Sequence, residues 1–236
     1  MKTQKKLWSA LAALCVATGT IAQPAYNYSK LQKEQLGRGV VAIRENPSDV
    51  VVSWRYLSSD PINTSFNVYR NGEKIAEVPH STGTFYRDTY SGNEKAVYTV
   101  KPVINGVETG KLNGNYTLPA NAPSGYIDIP LDRPAEGVTP SGQKYTYSPN
   151  DASIGDVDGD GEYEIILKWD PSNAHDNAHD GYTGNVYFDC YRLTGEKLWR
   201  IDLGHNVRAG AHYTQFIIFP FPSFVPSEVV MKTSDG

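Results

Sequence analysis

The stretch "DASIGDVDGDGEYEIILKWD" (151–170) sets Asp156, Asp158 and Asp160 at alternate positions, with Gly159 and Gly161 interleaved and Glu164 four residues after the last aspartate. Like charges this close repel one another unless something positive sits among them. A hard cation such as Ca2+ takes roughly six to eight oxygens at about 2.3–2.6 Å. Three alternating carboxylates, the carbonyl of Glu162 and the Glu164 carboxylate supply such a set, and the glycines let the chain wrap around it. The order follows an EF-hand up to that point, but Leu167 stands where the closing Glu would be and strands flank the loop. A calcium loop between two strands is expected; a solvated acidic turn would gather the charges without gain.

Further along, Asp170, Asn173, Asp176 and Asp180 offer oxygens for a second Ca2+. His175 and His179 are four apart, which on a helix would suit zinc. Pro171, the asparagines and Gly181 argue for a loop of polar histidines instead. In "NVRAGAHYTQF" (206–216), Arg208, His212, Tyr213 and Gln215 fall in a loop entering a strand. Arg208 is placed either to meet an anionic ligand or to form a structural ion pair, and His212 either to move a proton or to hold the backbone. Asn150 and Asp151 open a strand that would face the same cleft. Trp169 and Trp199 sit within strand patterns, where core packing is preferred to an exposed ring-stacking role.

The elements that position these groups all read as strands. Lys2, Lys5 and Lys6, an apolar run over 7–16 and small residues at 20–22 form a secretory signal peptide over 1–22, too short to span a bilayer. A linker over 23–35 follows. Over 36–122, β-branched and aromatic runs at 50–57, 65–70, 73–78, 84–89, 96–103 and 107–112 alternate with turns. Asn71-Gly72 and Asn105-Gly106 are two-residue hairpin signals. Val50, Val52, Trp54 and Tyr56 share one face at period two. The spacing predicts an all-β chain that opens with an antiparallel β-sandwich, and the order of its strands resembles a fibronectin III-like module.

From 123 to 236 a second unit begins with a Pro/Gly-rich connector. A strand over 162–170 and a hairpin over 185–204, closed at Thr194-Gly195, have the form of one blade of a β-propeller. A shift of 64 residues (228 − 164) lays Ile154, Glu164 and Lys168 on Ile218, Glu228 and Lys232. Such a repeat marks a radial or solenoid architecture. Two copies do not close a ring, so the chain reads as the front part of a longer propeller protein. Apart from Cys15 in the leader, Cys190 is the only cysteine, so the secreted part is no disulfide scaffold. A net charge of −4 argues against nucleic acid or anionic membrane as a partner.

Residues 145–216, with "KWDPSN" (168–173), "DNAHDGYTG" (176–184) and "RAGAHYTQF" (208–216), closely resemble the rhamnogalacturonan lyases of polysaccharide lyase family 11. "GRGVVAIRENPSDVVVSWRYLSSDP" (37–61) is similar to the start of their N-terminal sandwich. The resemblance implies a calcium-binding propeller and cleavage of rhamnose–galacturonate bonds in rhamnogalacturonan I, the pectin backbone, by β-elimination. A secreted monomer acting on that polysaccharide is expected. A non-catalytic carbohydrate-binding module and an inactive remnant of a lyase are the competing readings. The 64-residue shift carries Asp156, Asp158 and Asp160 onto Pro220, Pro222 and Phe224, so the second repeat lacks the acidic loop between matching flanks. A pair of compensating frame errors in the gene would produce that pattern. With most blades beyond this chain, no lyase activity is expected of it alone.

Overall fold

The computed structural model describes residues 33–176, 178–210, 213–221 and 226–234, and its described residues form strands and turns without a helix. The expected signal peptide and all but 33–35 of the linker lie outside them. No described helix is long and apolar enough to cross a membrane.

Strands β1 (Val41–Asn46), β2 (Asp49–Ser53) and β5 (Phe85–Thr89) form a three-stranded antiparallel sheet. A second sheet runs β4 (Glu73–Val78), β3 (Ser65–Arg70), β6 (Ala96–Ile104) and β7 (Val107–Glu108), with β8 (Gly114–Leu118) also paired to β6. Alternate residues of both sheets turn inward. Ala42, Val50, Val52, Phe66, Val68, Ala96, Tyr98, Val100 and Leu118 build one apolar core together with Trp54. Each buried valine, leucine or phenylalanine among them, taken from water, contributes about 1.5–3 kcal/mol. Asn71 and Gly72 have φ of 50° and 85°, and Asn105 and Gly106 have 51° and 78°, the left-handed pairs that a two-residue hairpin needs. Beneath this core, Arg38 (fully buried) pairs with Asp60 at 2.6 Å and also donates to the carbonyls of Arg55 and Leu112.

Three expectations change here. The run over 50–57 ends as a strand at Ser53, so Tyr56 leaves the buried face and is exposed. The run over 107–112 shrinks to β7, and Leu112 adopts a φ of 55°. Strands β1 and β8 form where no strand was expected. Arg44 interrupts the β1 pattern, yet it is buried, its guanidinium donating to the carbonyls of Tyr90 and Gly92.

After β9 (Gly137–Val138) and β10 (Lys144–Tyr145), strands β11 (Tyr147–Gly155), β12 (Glu164–Pro171), β13 (Tyr187–Tyr191) and β14 (Lys197–Asp202) pair in chain order as an antiparallel meander. Trp169 is buried against Tyr147, Leu167 and Tyr191, so the core reading holds for it, while Trp199 packs at the edge of a second cluster around Ile166, Phe188 and Cys190. Asp189, fully buried, is held by Trp169 Nε1, Tyr191 Oη and the Arg200 guanidinium. Strands β15 (Phe216–Phe219) and β16 (Glu228–Met231) form a further pair. Its register repeats that of β11–β12 rung for rung. Ile154 faces Ile165 as Ile218 faces Val229, and Gly155 faces Glu164 as Phe219 faces Glu228.

Candidate functional site

The acidic loop is the connection between β11 and β12, closed at its base by the Gly155–Glu164 pair. Gly159 and Gly161 carry φ of 80° and 89°, conformations that side-chain-bearing residues rarely adopt. They let the chain curl so that its N–H groups point at its own carboxylates. Asp156 Oδ1 accepts from Gly159 N–H at 2.8 Å and Oδ2 from Gly161 N–H at 3.0 Å. Glu164 Oε2 accepts from Val157 N–H at 3.0 Å. Its Oε1 is buried with no partner, an orphan that costs free energy unless a cation or donor meets it.

Ligand atoms of Asp156, Asp158 and Glu164 lie within 4.8 Å of one another. Burial raises the carboxyl of Asp156 despite its two backbone donors. Burial, with Asp158 and Asp160 adding to it, pushes Glu164 up to about 6. A desolvated group of anions with one oxygen unsatisfied fits a hard divalent cation in donor type and in charge.

The Asp160 carboxylate stands outside that cluster. Asp160 Oδ1 accepts from Glu162 N–H at 2.8 Å, and Oδ2 meets Arg192 Nη1 at 2.6 Å. Burial presses the Asp160 carboxyl upward, but that N–H and the Arg192 guanidinium outweigh it and hold it low. The Glu162 carboxylate turns to the first core's side, taking Gly39 N–H at 3.2 Å and lying 3.7 Å from Arg55. Arg192, from the turn after β13, also reaches Asp158. The sequence reading missed Arg192, which lies more than thirty residues from the aspartates it meets.

The second proposed set does not converge in the same way. Asp170 sits at the end of β12, bonded to Asn150 Nδ2 and 3.8 Å from Lys168, with its Oδ1 buried and unpartnered. Lys168, buried, pairs with Asp151 at 2.7 Å. Asn173 spends its amide on Gly184 N–H and Gln143, and Asp176 accepts from Ala178 N–H. Asp180 is exposed. His175 and His179 lie outside any helix or strand, their rings 6.1 Å apart, with His175 Nδ1 at 2.9 Å from the Asn173 carbonyl.

A recess of about 360 Å3 is lined by Asn206, Val207, Arg208, Tyr213, Lys232 and Ser234. Arg208 donates to the backbone carbonyls of His179 and Asp176 and to Tyr213 Oη at 3.3 Å. The Arg208 guanidinium and the Lys232 ammonium both stand over the Tyr213 ring, 5.5 and 5.4 Å from its centroid. Among the described residues neither cation has a carboxylate partner. Gln215 and Asp151 line a second, shallow recess with Ala152, Ser153 and Phe216. His212 lies outside the described residues. Lys232 was visible in the sequence only as the repeat image of Lys168.

Comparison with known proteins matches residues 31–116 to the family described as rhamnogalacturonan I lyases, beta-sheet domain, and residues 126–236 to rhamnogalacturonan lyase family 11, C-terminal domain. Over 240 residues the chain is 46% identical to rhamnogalacturonan endolyase YesW of Bacillus subtilis, covering 100% of this chain and 37% of that protein. It is 48% identical over 207 residues to rhamnogalacturonan exolyase YesX of the same organism, covering 88% and 33%. The crystal structure of YesW superposes with a TM-score of 0.74 at 49% identity, over 87% of this chain and 34% of that one. A Bacillus licheniformis rhamnogalacturonan lyase gives 0.74 at 50% identity, over 87% and 34%. The chain thus spans about a third of the length of these relatives. With both family descriptions naming the same lyases and reaching between them from residue 31 to residue 236, the chain belongs to family 11 of the rhamnogalacturonan lyases.

Proposed function

We propose that this chain is the front part of a secreted, calcium-dependent rhamnogalacturonan lyase, with a fibronectin III-like sandwich over 36–122 followed by the first blades of a β-propeller. The substrate is rhamnogalacturonan I. In β-elimination a base removes the proton next to the uronate carboxylate, a C=C bond forms, and the C–O bond to the leaving sugar breaks, that oxygen taking up a proton. The carboxylate must be neutralised for the carbanion-like state to form.

The observation that carries this reading is the pair of cations over Tyr213. Arg208 and Lys232 present two positive charges without carboxylate partners among the described residues, in a recess of sugar-ring size. Their role is to bind and neutralise the uronate carboxylate. The Tyr213 hydroxyl, next to Arg208 Nη2, is placed to exchange a proton with a bound sugar. Gln215, Asp151 and Asn150 extend the polar surface along which neighbouring sugars lie. Asp156, Asp158 and Glu164 hold Ca2+, which when bound supplies positive charge that ties the β11–β12 loop together.

The test is retention of rhamnogalacturonan I fragments by the chain, beside fragments whose uronate carboxyls have been reduced. Native fragments are retained and R208Q and K232Q each weaken retention several-fold; equal retention of the reduced polymer overturns the reading. An ultraviolet assay for unsaturated uronate accompanies it. No rise is expected from this chain alone, and a rise would refute the inactivity proposed for it.

A further inference from the structure

The two outer aspartates of the acidic loop already have a cation. Arg192 Nη2 meets Asp158 Oδ2 at 2.5 Å and Nη1 meets Asp160 Oδ2 at 2.6 Å, one prong of the guanidinium fork on each. Asp158 is at the same time one of the three residues whose ligand atoms cluster. The same side chain thus meets the guanidinium and belongs to the carboxylate cluster.

Arg192 is built to let go. Its backbone is fixed, with its N–H on the Glu196 carbonyl and its own carbonyl taking Gly195 N–H, both at 2.9 Å. Its side chain is about a third exposed, and Glu196 Oε2 lies 3.5 Å from its Nε. When the fork leaves the aspartates it has water and a third carboxylate, Glu196, to receive it. The inner side of the loop behaves differently. Asp156 and Glu164 are buried, and among the described residues they have no side-chain cation partner and Glu164 Oε1 has none at all.

We infer that Arg192 is a resident counter-ion that holds the outer aspartates when the loop carries no metal and competes with the divalent ion for them, so that it sets the loop's metal affinity. The inference rests on the reading of the loop as a calcium site. In the metal-free chain Arg192 keeps Asp158 and Asp160 from springing apart. With metal bound, a fixed positive charge a few ångströms from the ion opposes it, until the fork moves to Glu196 and solvent.

The experiment is calorimetric titration of CaCl2 into the chelator-stripped chain, paired with thermal melts in chelator and in excess Ca2+. For R192Q the expectation is roughly tenfold tighter binding, the scale of removing one like charge beside a partly exposed ion. Its melting temperature in chelator falls, so the rise on adding Ca2+ grows. R192K, which keeps the charge and loses the fork, falls between the two and carries the test should R192Q not fold without metal. R87Q, which removes an exposed arginine paired with Glu45 far along the chain, leaves the affinity unchanged. Unchanged or weaker binding by R192Q, or an equal gain in R87Q, overturns the role of Arg192 while leaving the calcium reading intact. No binding by the unaltered chain removes both.

Discussion

The backbone N–H of Gly37 donates to the carbonyl of Gly161 at 2.6 Å, tying the segment ahead of β1 to the acidic loop. The approach is close enough that a Cβ on Gly161 would lie 2.7 Å from Gly37 N, and Gly161 already has a φ of 89°. Gly161→Ala should therefore meet both strain and backbone collision. The expected loss is about 2–3 kcal/mol in urea unfolding, against about 1 kcal/mol for Gly72→Ala, whose φ of 85° is similar but whose surroundings are open. Equal losses would remove the packing argument.

Glu164→Gln keeps the shape of the buried side chain and removes its charge. The unaltered chain should gain about 2.7 kcal/mol of stability at Ca2+ a hundredfold above its dissociation constant. The variant should gain little. Melts with and without chelator make the comparison.

Arg38 and Asp60 are both almost without solvent contact. Asp60→Ala strands a buried guanidinium, and the expected cost is about 3–5 kcal/mol in chemical unfolding.

The Glu108 carboxyl is held down to about 2 by hydrogen bonds from Tyr69 and Asn67, with Lys101 adding. A depressed acid stabilises the fold above its unfolded value of 4.5, and that contribution fades as pH drops from there toward 2. The group is part exposed, so the effect is at most about 1 kcal/mol. Glu108→Gln should flatten the stability profile across that window and leave the rest unchanged.

Cys190 is fully buried, and burial pushes its thiol up to about 12. It should resist thiol reagents in native buffer and react at the rate of unfolding in denaturant.

Much of this was legible in the sequence because the signals were local. Asn71-Gly72 fixes a hairpin within four residues, and Asp156, Asp158 and Glu164 fall within nine residues. The 64-residue repeat was readable because period and register are shared. What escaped depends on distant partners. Arg192 meets the aspartates only after β12 and β13 fold back, and Lys232 meets Tyr213 only once β15 and β16 pair. Strand β1 was hidden because the charge of Arg44 reads as surface, while the carbonyls that satisfy it come from Tyr90 and Gly92. Tyr56 fails for the opposite reason: alternation in sequence ran past the last ladder bond.

The matching rungs of β11–β12 and β15–β16 join strands through connections of unlike chemistry, one rich in aspartate and glycine and the other in proline and phenylalanine. The same ladder register therefore holds with two joining segments of unlike composition, so the pairing is carried by the strand residues rather than by the segment between them.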